Sequence, residues 1–216
     1  MKNALLLHGT AASPKSAWFP WLKGELEAEG WKTWVPDLPG ADAPNAKRYT
    51  EFLLSNGWDF NENTVIVGHS SGAVEILPLL AALPEGAKIR AAVLVGAFPY
   101  DLAKHKFEVV FRLPFTWSRL KFQYHVWRDE VQAGKMDVSG MFGEPFDFEK
   151  IKARAGKFIF VHSDDDPFCP LSGAKYLARE LGGELKLFRG QKHFSVGTAG
   201  EKYRQFPALW DIIEHL

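Results

Sequence analysis

The sequence alternates between short, almost wholly apolar runs and longer segments in which apolar residues recur at helical spacing. Strands buried on both faces appear as continuous apolar runs, so the alternation predicts a parallel sheet covered by helices on both sides. Crossovers between such strands are right-handed. The predicted strands are Ala4–Leu7, Trp31–Val35, Thr64–Val67, Ala91–Val95, Phe158–Val161 and Leu185–Phe188.

Segments in which apolar residues recur at helical spacing lie between these runs and after the last of them. With 216 residues, the chain is expected to form one domain over residues 1–216, large enough to fold without a disulfide or metal. Pro78 lies inside the third helix, where it is expected to remove a hydrogen bond and kink the helix. The predicted helices cover Trp18 to Leu26, Ala46 to Leu53, a stretch beginning after Gly68, a stretch through Leu177 and Leu181, and a last helix from about Pro207.

Charge and cysteine content exclude several classes of function. The 26 Lys and Arg residues balance 26 Asp and Glu residues, so no nucleic-acid partner and no membrane partner is expected. The single cysteine, Cys169, excludes an internal disulfide and a cysteine-only zinc site, and we interpret it as a small buried apolar residue. No apolar run is long enough for a membrane span or a signal peptide. We therefore expect a cytoplasmic protein without cofactor or metal.

Chemistry-bearing residues follow three of the predicted strands, and ligands of parallel sheets bind at these carboxyl ends. The third strand runs into Gly68–Gly72, a G-x-S-x-G pattern whose glycines allow a tight turn that exposes the Ser70 hydroxyl. The free N–H groups of the following helix favour developing negative charge. Asp164–Asp166 follow the fifth strand and His193 follows the sixth. Ser, Asp and His in this order are typical of an α/β-hydrolase triad.

A serine hydroxyl is a poor nucleophile near neutral pH and needs a histidine base, which a carboxylate in turn orients. The first strand ends in His8-Gly9-Thr10, whose loop can direct the Thr10 N–H at the same point as the N–H of Ser71. Two such donors form an oxyanion hole, worth about 3–4 kcal/mol per donor.

Plainer interpretations stay open at this point. In these interpretations Ser70 is a serine of the turn without a chemical role, and His193 is a histidine at the surface. His69 is interpreted as a packing residue of the turn, and Asp164 as a solvated loop residue. Asp165 is the alternative to Asp166 as the acid.

The sequence resembles the small α/β-hydrolases of the retinoblastoma-binding-protein-9 type, which are serine hydrolases. By that resemblance the nucleophile is Ser70, the acid Asp166 and the base His193, and the strands lie in the order 2-1-3-4-5-6. Lys192 departs from the family, which usually has glycine before the histidine. The resemblance covers about residues 3–100 and 139–216 and rests on Trp18–Leu26, Gly68–Ala73, Gly140–Lys152, Asp165–Pro170 and His193-Phe194.

Residues 101–138 are extra to that family and lie between the fourth and fifth strands, where α/β-hydrolases often carry a cap. We expect a helical, aromatic-rich lid over Ser70, with Phe111, Trp117 and Trp127 lining an apolar acyl pocket. The alternatives are a core helix packed on the sheet and a surface for single-stranded nucleic acid. The apolar stripe consists of Trp117, Leu120, Tyr124, Trp127 and Val131.

Two further patterns point to other chemistry and are disfavoured. Gly9–Ser16 resembles a phosphate-binding loop, but Pro14 replaces its second glycine and has no N–H to donate to a phosphate. The acidic run Asp164–Asp166 lacks the spacing of a calcium loop.

These patterns together predict a cofactor-free serine hydrolase, a carboxylesterase acting on small or medium acyl esters. An amidase or peptidase with the same triad is the alternative, and so is a non-catalytic binding module that retains it. The expected partner is a small-molecule ester or amide. Neither the natural substrate nor the oligomeric state is predicted.

Overall fold

A computed structural model describes residues 1–99 and 137–216 of the chain. Within them lie six strands, each within two residues of its predicted bounds. The strands are β1 (Asn3–Leu7), β2 (Lys32–Trp34), β3 (Thr64–His69), β4 (Ala91–Val95), β5 (Phe158–Ser163) and β6 (Glu184–Phe188).

Seven α-helices and two short 3-10 turns connect the strands in the described part of the chain. The helices are α1 (Phe19–Ala28), α2 (Ala46–Ser55), α3 (Ser71–Ala82), α4 (Phe148–Ala153), α5 (Leu171–Leu181), α6 (Val196–Ala199) and α7 (Pro207–Glu214). The 3-10 turns cover Ser139–Met141 and Glu201–Arg204.

The six strands form one sheet in the order β2-β1-β3-β4-β5-β6, and every neighbouring pair is parallel. This confirms the predicted parallel sheet and the strand order that the family resemblance implies. The chain leaves β1 toward one edge to form β2 and then returns to the other side of β1 for β3. Such a reversal opens a crevice beyond the carboxyl ends of the two strands, where ligands of parallel sheets bind.

Helices cover both faces of the sheet, as predicted. Alternate residues of β1 enter different apolar clusters, with Leu5 and Leu7 on one face and Ala4 and Leu6 on the other. The first cluster is completed by α2, α3, α4 and α5, and the second by α1 and α7. Among the described residues, no helix is both long and apolar enough to cross a membrane.

The helix that follows β3 is the most deeply buried, and Pro78 does not end it. Nine of the 12 residues of α3 are buried, and the helix continues from Ser71 to Ala82. Packing on all sides stabilises the helix despite the hydrogen bond that a proline cannot make.

Residues 100–136 lie outside the described part of the chain. They contain nearly all of the predicted lid and the three predicted pocket residues, Phe111, Trp117 and Trp127, so these predictions stay untested. The chain re-enters the described region at Asp137, and Val138 packs into the first apolar cluster.

Helix α3 also contains a buried acid. The Glu75 side chain is fully buried, and one of its carboxyl oxygens accepts a hydrogen bond from the Thr50 hydroxyl at 2.7 Å. The other oxygen has no hydrogen-bond partner among residues 1–99 and 137–216. Burial raises the pKa of Glu75 well above its usual value, despite the opposing effect of the Thr50 hydrogen bond, because a desolvated carboxylate is costly.

We expect Glu75→Gln to remove one negative contribution to the slope of stability against pH. Between the ordinary and the raised pKa, the folded chain binds more protons than the unfolded chain. The contribution of Glu75 to the free energy of unfolding therefore falls as pH rises, by at most about 1.4 kcal/mol per pH unit. Glutamine keeps an acceptor for Thr50 and does not titrate. Urea unfolding at a series of pH values measures the slope, and the exposed Glu85→Gln serves as the control. An unchanged slope in Glu75→Gln would contradict the assignment.

Candidate active site

A strained turn carries Ser70 between β3 and α3. Its φ of 55° and ψ of −123° are uncommon for a residue with a side chain. The Ser70 N–H donates to the Val95 carbonyl at 2.9 Å, which fixes the turn against β4. The side chain is half-buried at the carboxyl edge of the sheet. This strand–turn–helix geometry is that of the nucleophile elbow that the G-x-S-x-G pattern predicts.

The glycines around Ser70 are required by close approach of the backbone. A Cβ atom on Gly68 or Gly72 would lie within 3.0 Å of backbone atoms, which for Gly72 include the Leu7 carbonyl at the end of β1. A Cβ atom on Gly9 would lie 2.9 Å from the Cβ of Ser70. Only glycine at these positions lets the ends of β1, β3 and α3 meet at the serine.

His193 and Asp166 form a buried hydrogen-bonded pair. The Nδ1 atom of His193 lies 2.7 Å from Oδ2 of Asp166, and the two residues are each 5% exposed. The other carboxyl oxygen of Asp166 accepts the N–H groups of Phe168 and Cys169, both at 2.9 Å. The Phe168 ring packs edge-on against the imidazole, with 5.2 Å between ring centroids. The aspartate is therefore held on both oxygens, and the histidine on one nitrogen.

Electrostatics fix the tautomer of His193. Burial on its own would raise the pKa of Asp166, but the hydrogen bond from His193 and the positive charge of that ring when it is protonated, with smaller contributions from His162 and the Cys169 N–H, hold it below its usual value. The carboxylate is ionised and only accepts hydrogen bonds, so Nδ1 of His193 carries the proton. The Nε2 atom of the neutral imidazole is then free of a proton, as a general base requires.

Asp165, the alternative acid, has a different set of partners. Its Oδ1 accepts the Ser163 hydroxyl at 2.7 Å and the Lys192 N–H at 2.8 Å, and its Oδ2 pairs with the Lys192 ammonium at 2.8 Å. Burial opposes ionisation, but the hydrogen bonds from Lys192 and Ser163 lower the pKa of Asp165 to about 2. Lys192 has a φ of 53°, a conformation that glycine adopts without strain. Asp165 therefore holds Lys192 in the conformation suited to the glycine that the family usually has there.

Residues 163–165 bind three successive N–H groups of residues 190–192, and we call residues 189–195 the histidine loop. Besides the Lys192 bond, Gly190 N–H donates to Asp164 and Gln191 N–H donates to the Ser163 hydroxyl, both at 2.9 Å. Asp164 is exposed, as expected, yet it also orders this loop. Sequence reasoning missed these contacts, because nothing local in the sequence relates the two segments.

The opposite side of the histidine loop is held through its carbonyl groups. Nε2 of His69 donates to the His193 carbonyl at 2.8 Å, and the Trp18 indole N–H donates to the Phe194 carbonyl at 3.1 Å. Burial lowers the pKa of His69 to about 3, and the positive charge of His193 when that ring is protonated acts in the same direction, so the His69 imidazole is neutral. His69 is thus more than the packing residue that the sequence suggested, because it positions the backbone of the candidate base.

The residues predicted for the oxyanion hole also meet. The Thr10 hydroxyl donates to the Ser71 hydroxyl at 3.0 Å, which joins the loop after β1 to the start of α3. The buried His8 side chain lies behind this loop. Its Nδ1 donates to the Gly9 carbonyl at 3.1 Å, and its Nε2 accepts the Leu38 N–H at 3.0 Å. Burial lowers the pKa of His8 and favours this neutral form. That the Thr10 and Ser71 N–H groups bind an oxyanion stays a prediction.

One group of side chains in the described region has the composition of a metal site. Ligand atoms of Asp166, Cys169 and His193 all lie within 4.8 Å of one another, and all three residues are buried. Two of them form the hydrogen-bonded pair at the candidate site, so any metal would compete with that pair.

Comparison with known proteins places the chain in a family. The sequence profile of a family described as serine hydrolase matches residues 4–215. The protein YdeN of Bacillus subtilis (strain 168) is 26% identical over 212 residues, which are 98% of this chain and 94% of YdeN. The serine hydrolase RBBP9 of Rattus norvegicus is 26% identical over 178 residues, which are 82% of this chain and 77% of RBBP9.

Solved structures share the fold. The crystal structure of the B. subtilis ydeN gene product matches with a TM-score of 0.79 at 24% identity, over 100% of this chain and 98% of that one. A carboxylesterase structure from Nitrososphaera gargenis matches with a TM-score of 0.67 at 17% identity, over 99% of this chain and 89% of that one. The architecture is that of the α/β-hydrolases. Because the family profile spans residues 4–215, the chain belongs to the serine hydrolase family.

Proposed function

We propose that this protein is a carboxylesterase that cleaves small or medium acyl esters through an acyl-enzyme on Ser70. The observation that carries the proposal is the buried hydrogen bond of 2.7 Å between His193 and Asp166. This pair lies at the same edge of the sheet as the strained turn of Ser70, whose φ is 55°. An ionised carboxylate on Nδ1 leaves Nε2 as the basic atom, which is the role of the histidine in serine hydrolysis.

In the acylation step, Ser70 Oγ attacks the carbonyl carbon of the ester, and His193 Nε2 takes the hydroxyl proton. The carbonyl oxygen becomes an oxyanion, which the N–H groups of Ser71 and Thr10 stabilise. The carbon–oxygen bond to the alcohol then breaks, and His193 gives its proton to the departing oxygen. Asp166 stabilises the transient imidazolium without taking its proton.

In the deacylation step, a water molecule attacks the acyl carbon while His193 takes one of its protons. The bond to Ser70 breaks, the serine oxygen recovers the proton, and the carboxylic acid is released. No metal or cofactor takes part. Membership of the serine hydrolase family, over residues 4–215, supports this reaction class.

The proposed substrate class rests on two weaker observations. A carboxylesterase from N. gargenis has a similar fold. The sequence also predicts aromatic side chains, Phe111, Trp117 and Trp127, beside the acyl group, where apolar contact favours an acyl chain over a charged substrate.

The test is labelling with a fluorophosphonate probe, followed by intact mass and peptide mapping. We expect a single adduct on Ser70. A series of p-nitrophenyl esters of increasing acyl length and the matched anilide of the preferred acyl group then separate esterase from amidase. If the anilide is turned over faster than the matched ester, amidase rather than esterase is the activity of this protein. If a demonstrably folded protein forms no adduct and cleaves neither substrate, the proposal fails and a binding module becomes the better interpretation.

A further inference from the structure

We infer that Asp166, Cys169 and His193 form an inhibitory binding site for a divalent transition-metal ion of the zinc type. Ligand atoms of all three residues lie within 4.8 Å of one another, and none of the three is exposed. A carboxylate, a thiolate and an imidazole are the three kinds of side chain that bind Zn²⁺. Magnesium and calcium prefer oxygen ligands alone, so the thiol selects against them.

The aspartate and the cysteine are already fixed relative to each other. They lie three residues apart in one turn, and the Cys169 N–H donates to Asp166 Oδ1 at 2.9 Å. The Cys169 carbonyl accepts a hydrogen bond from the buried His162 ring at 3.0 Å, which holds this turn from behind. The backbone that carries two of the three ligands is therefore fixed before the ion binds.

Metal binding requires a limited change in the site. With metal–ligand bonds of about 2.0–2.3 Å in a tetrahedral arrangement, ligand atoms lie about 3.2–3.7 Å apart. The Asp166–His193 hydrogen bond of 2.7 Å is shorter than this range. The pair must therefore open slightly, and the ligand atoms, which now lie up to 4.8 Å apart, must come within this range.

Charge balance favours the ion at this buried position. The Asp166 carboxylate and the Cys169 thiolate together neutralise the two positive charges, so no net charge is left buried. The thiol proton is released to solvent. The metal replaces the proton on Nδ1 of His193, because that nitrogen faces the aspartate.

The consequence for catalysis follows from the tautomer. With the metal on Nδ1, the proton of the neutral imidazole resides on Nε2, which can no longer accept the proton of Ser70. The ion therefore inhibits by removing the base and separating it from its aspartate. This consequence rests on the proposed function, whereas metal binding itself does not.

The experiment measures binding and inhibition separately. Co²⁺ is added to the metal-free full-length protein, and the near-ultraviolet absorption that a thiolate–cobalt bond produces is recorded at equilibrium. Cys169 is the only cysteine of the chain, so this band reports one residue. Zn²⁺ is then titrated into the esterase assay, and a chelator is added at the end. The variants are Cys169→Ser and Cys169→Ala, each compared with its own metal-free rate and checked for folding.

We expect one Co²⁺ per chain with a thiolate band, and inhibition by Zn²⁺ that the chelator reverses. In both variants the band should vanish, and the Zn²⁺ concentration for half inhibition should rise by about tenfold or more. Inhibition of the variants at the same Zn²⁺ concentration as wild type would overturn the inference, and so would Co²⁺ binding without the band. A band in a protein with no hydrolase activity would keep the site and reject the proposed function.

Discussion

Replacing Ser70 with alanine is expected to lower kcat for ester hydrolysis by about 10⁴–10⁶-fold, because the acyl group then has no oxygen to which it can transfer. The fluorophosphonate adduct should disappear as well. The substitution removes one oxygen atom and leaves the Cβ atom of the strained turn in place. We therefore expect the thermal unfolding of the variant to resemble that of wild type.

The neighbouring serine is the control for this experiment. Ser71→Ala removes the hydroxyl that contacts Thr10, at 3.0 Å, but keeps the backbone N–H assigned to the oxyanion hole. The lost hydrogen bond is worth about 1 kcal/mol, so activity should fall about tenfold at most. Similar losses in the two variants would show that the turn as a whole, rather than the Ser70 hydroxyl, matters.

The second large effect is expected for Asp166→Asn, which should lower kcat by about 10⁴-fold. The amide oxygen can still accept the N–H groups of Phe168 and Cys169, which turns the amide NH₂ toward His193. That NH₂ group donates a hydrogen bond to Nδ1, so the imidazole proton moves to Nε2 and the base is lost. Circular dichroism checks that the fold survives, and steady-state kinetics on the preferred ester measure the loss.

Asp165→Asn is the matched variant one residue away. Its amide oxygen can still accept the Ser163 hydroxyl and the Lys192 N–H, and only the ion pair with the Lys192 ammonium is lost. Because that pair is partly exposed, we expect at most about a tenfold loss in kcat and a small loss of stability. A larger loss in Asp165→Asn than in Asp166→Asn would reverse the assignment of the acid.

The fold could be predicted from the sequence because its signal is local. The four central strands, β1, β3, β4 and β5, each contain an apolar run of three to five residues, and the turn signals between the runs are glycine and proline. The kink expected at Pro78 stays a prediction, and the structure shows that α3 continues past this residue. Its effect in an isolated helix is known, but whether α3 ends there depends on packing against the sheet, which no local pattern reports.

The candidate site was predictable in part for the same reason. The order of Ser70, Asp166 and His193 after successive strands is visible in the sequence. The residues that position His193 are not, since His69 lies 124 residues from its partner along the chain. The metal-type cluster was also missed, because its cysteine and histidine are 24 positions apart in the sequence and meet only after folding. The predicted lid over residues 101–138 stays a prediction.

Three hydrogen bonds join the end of β5 and the turn that follows it, residues 163–165, to the histidine loop. Each amide of Gly190, Gln191 and Lys192 finds a side-chain acceptor where a strand would offer a carbonyl. Amides of an irregular loop usually exchange with solvent quickly, whereas we expect these three to exchange more slowly because each is hydrogen-bonded. Local unfolding of this end of the sheet would thus displace the backbone that carries the candidate base.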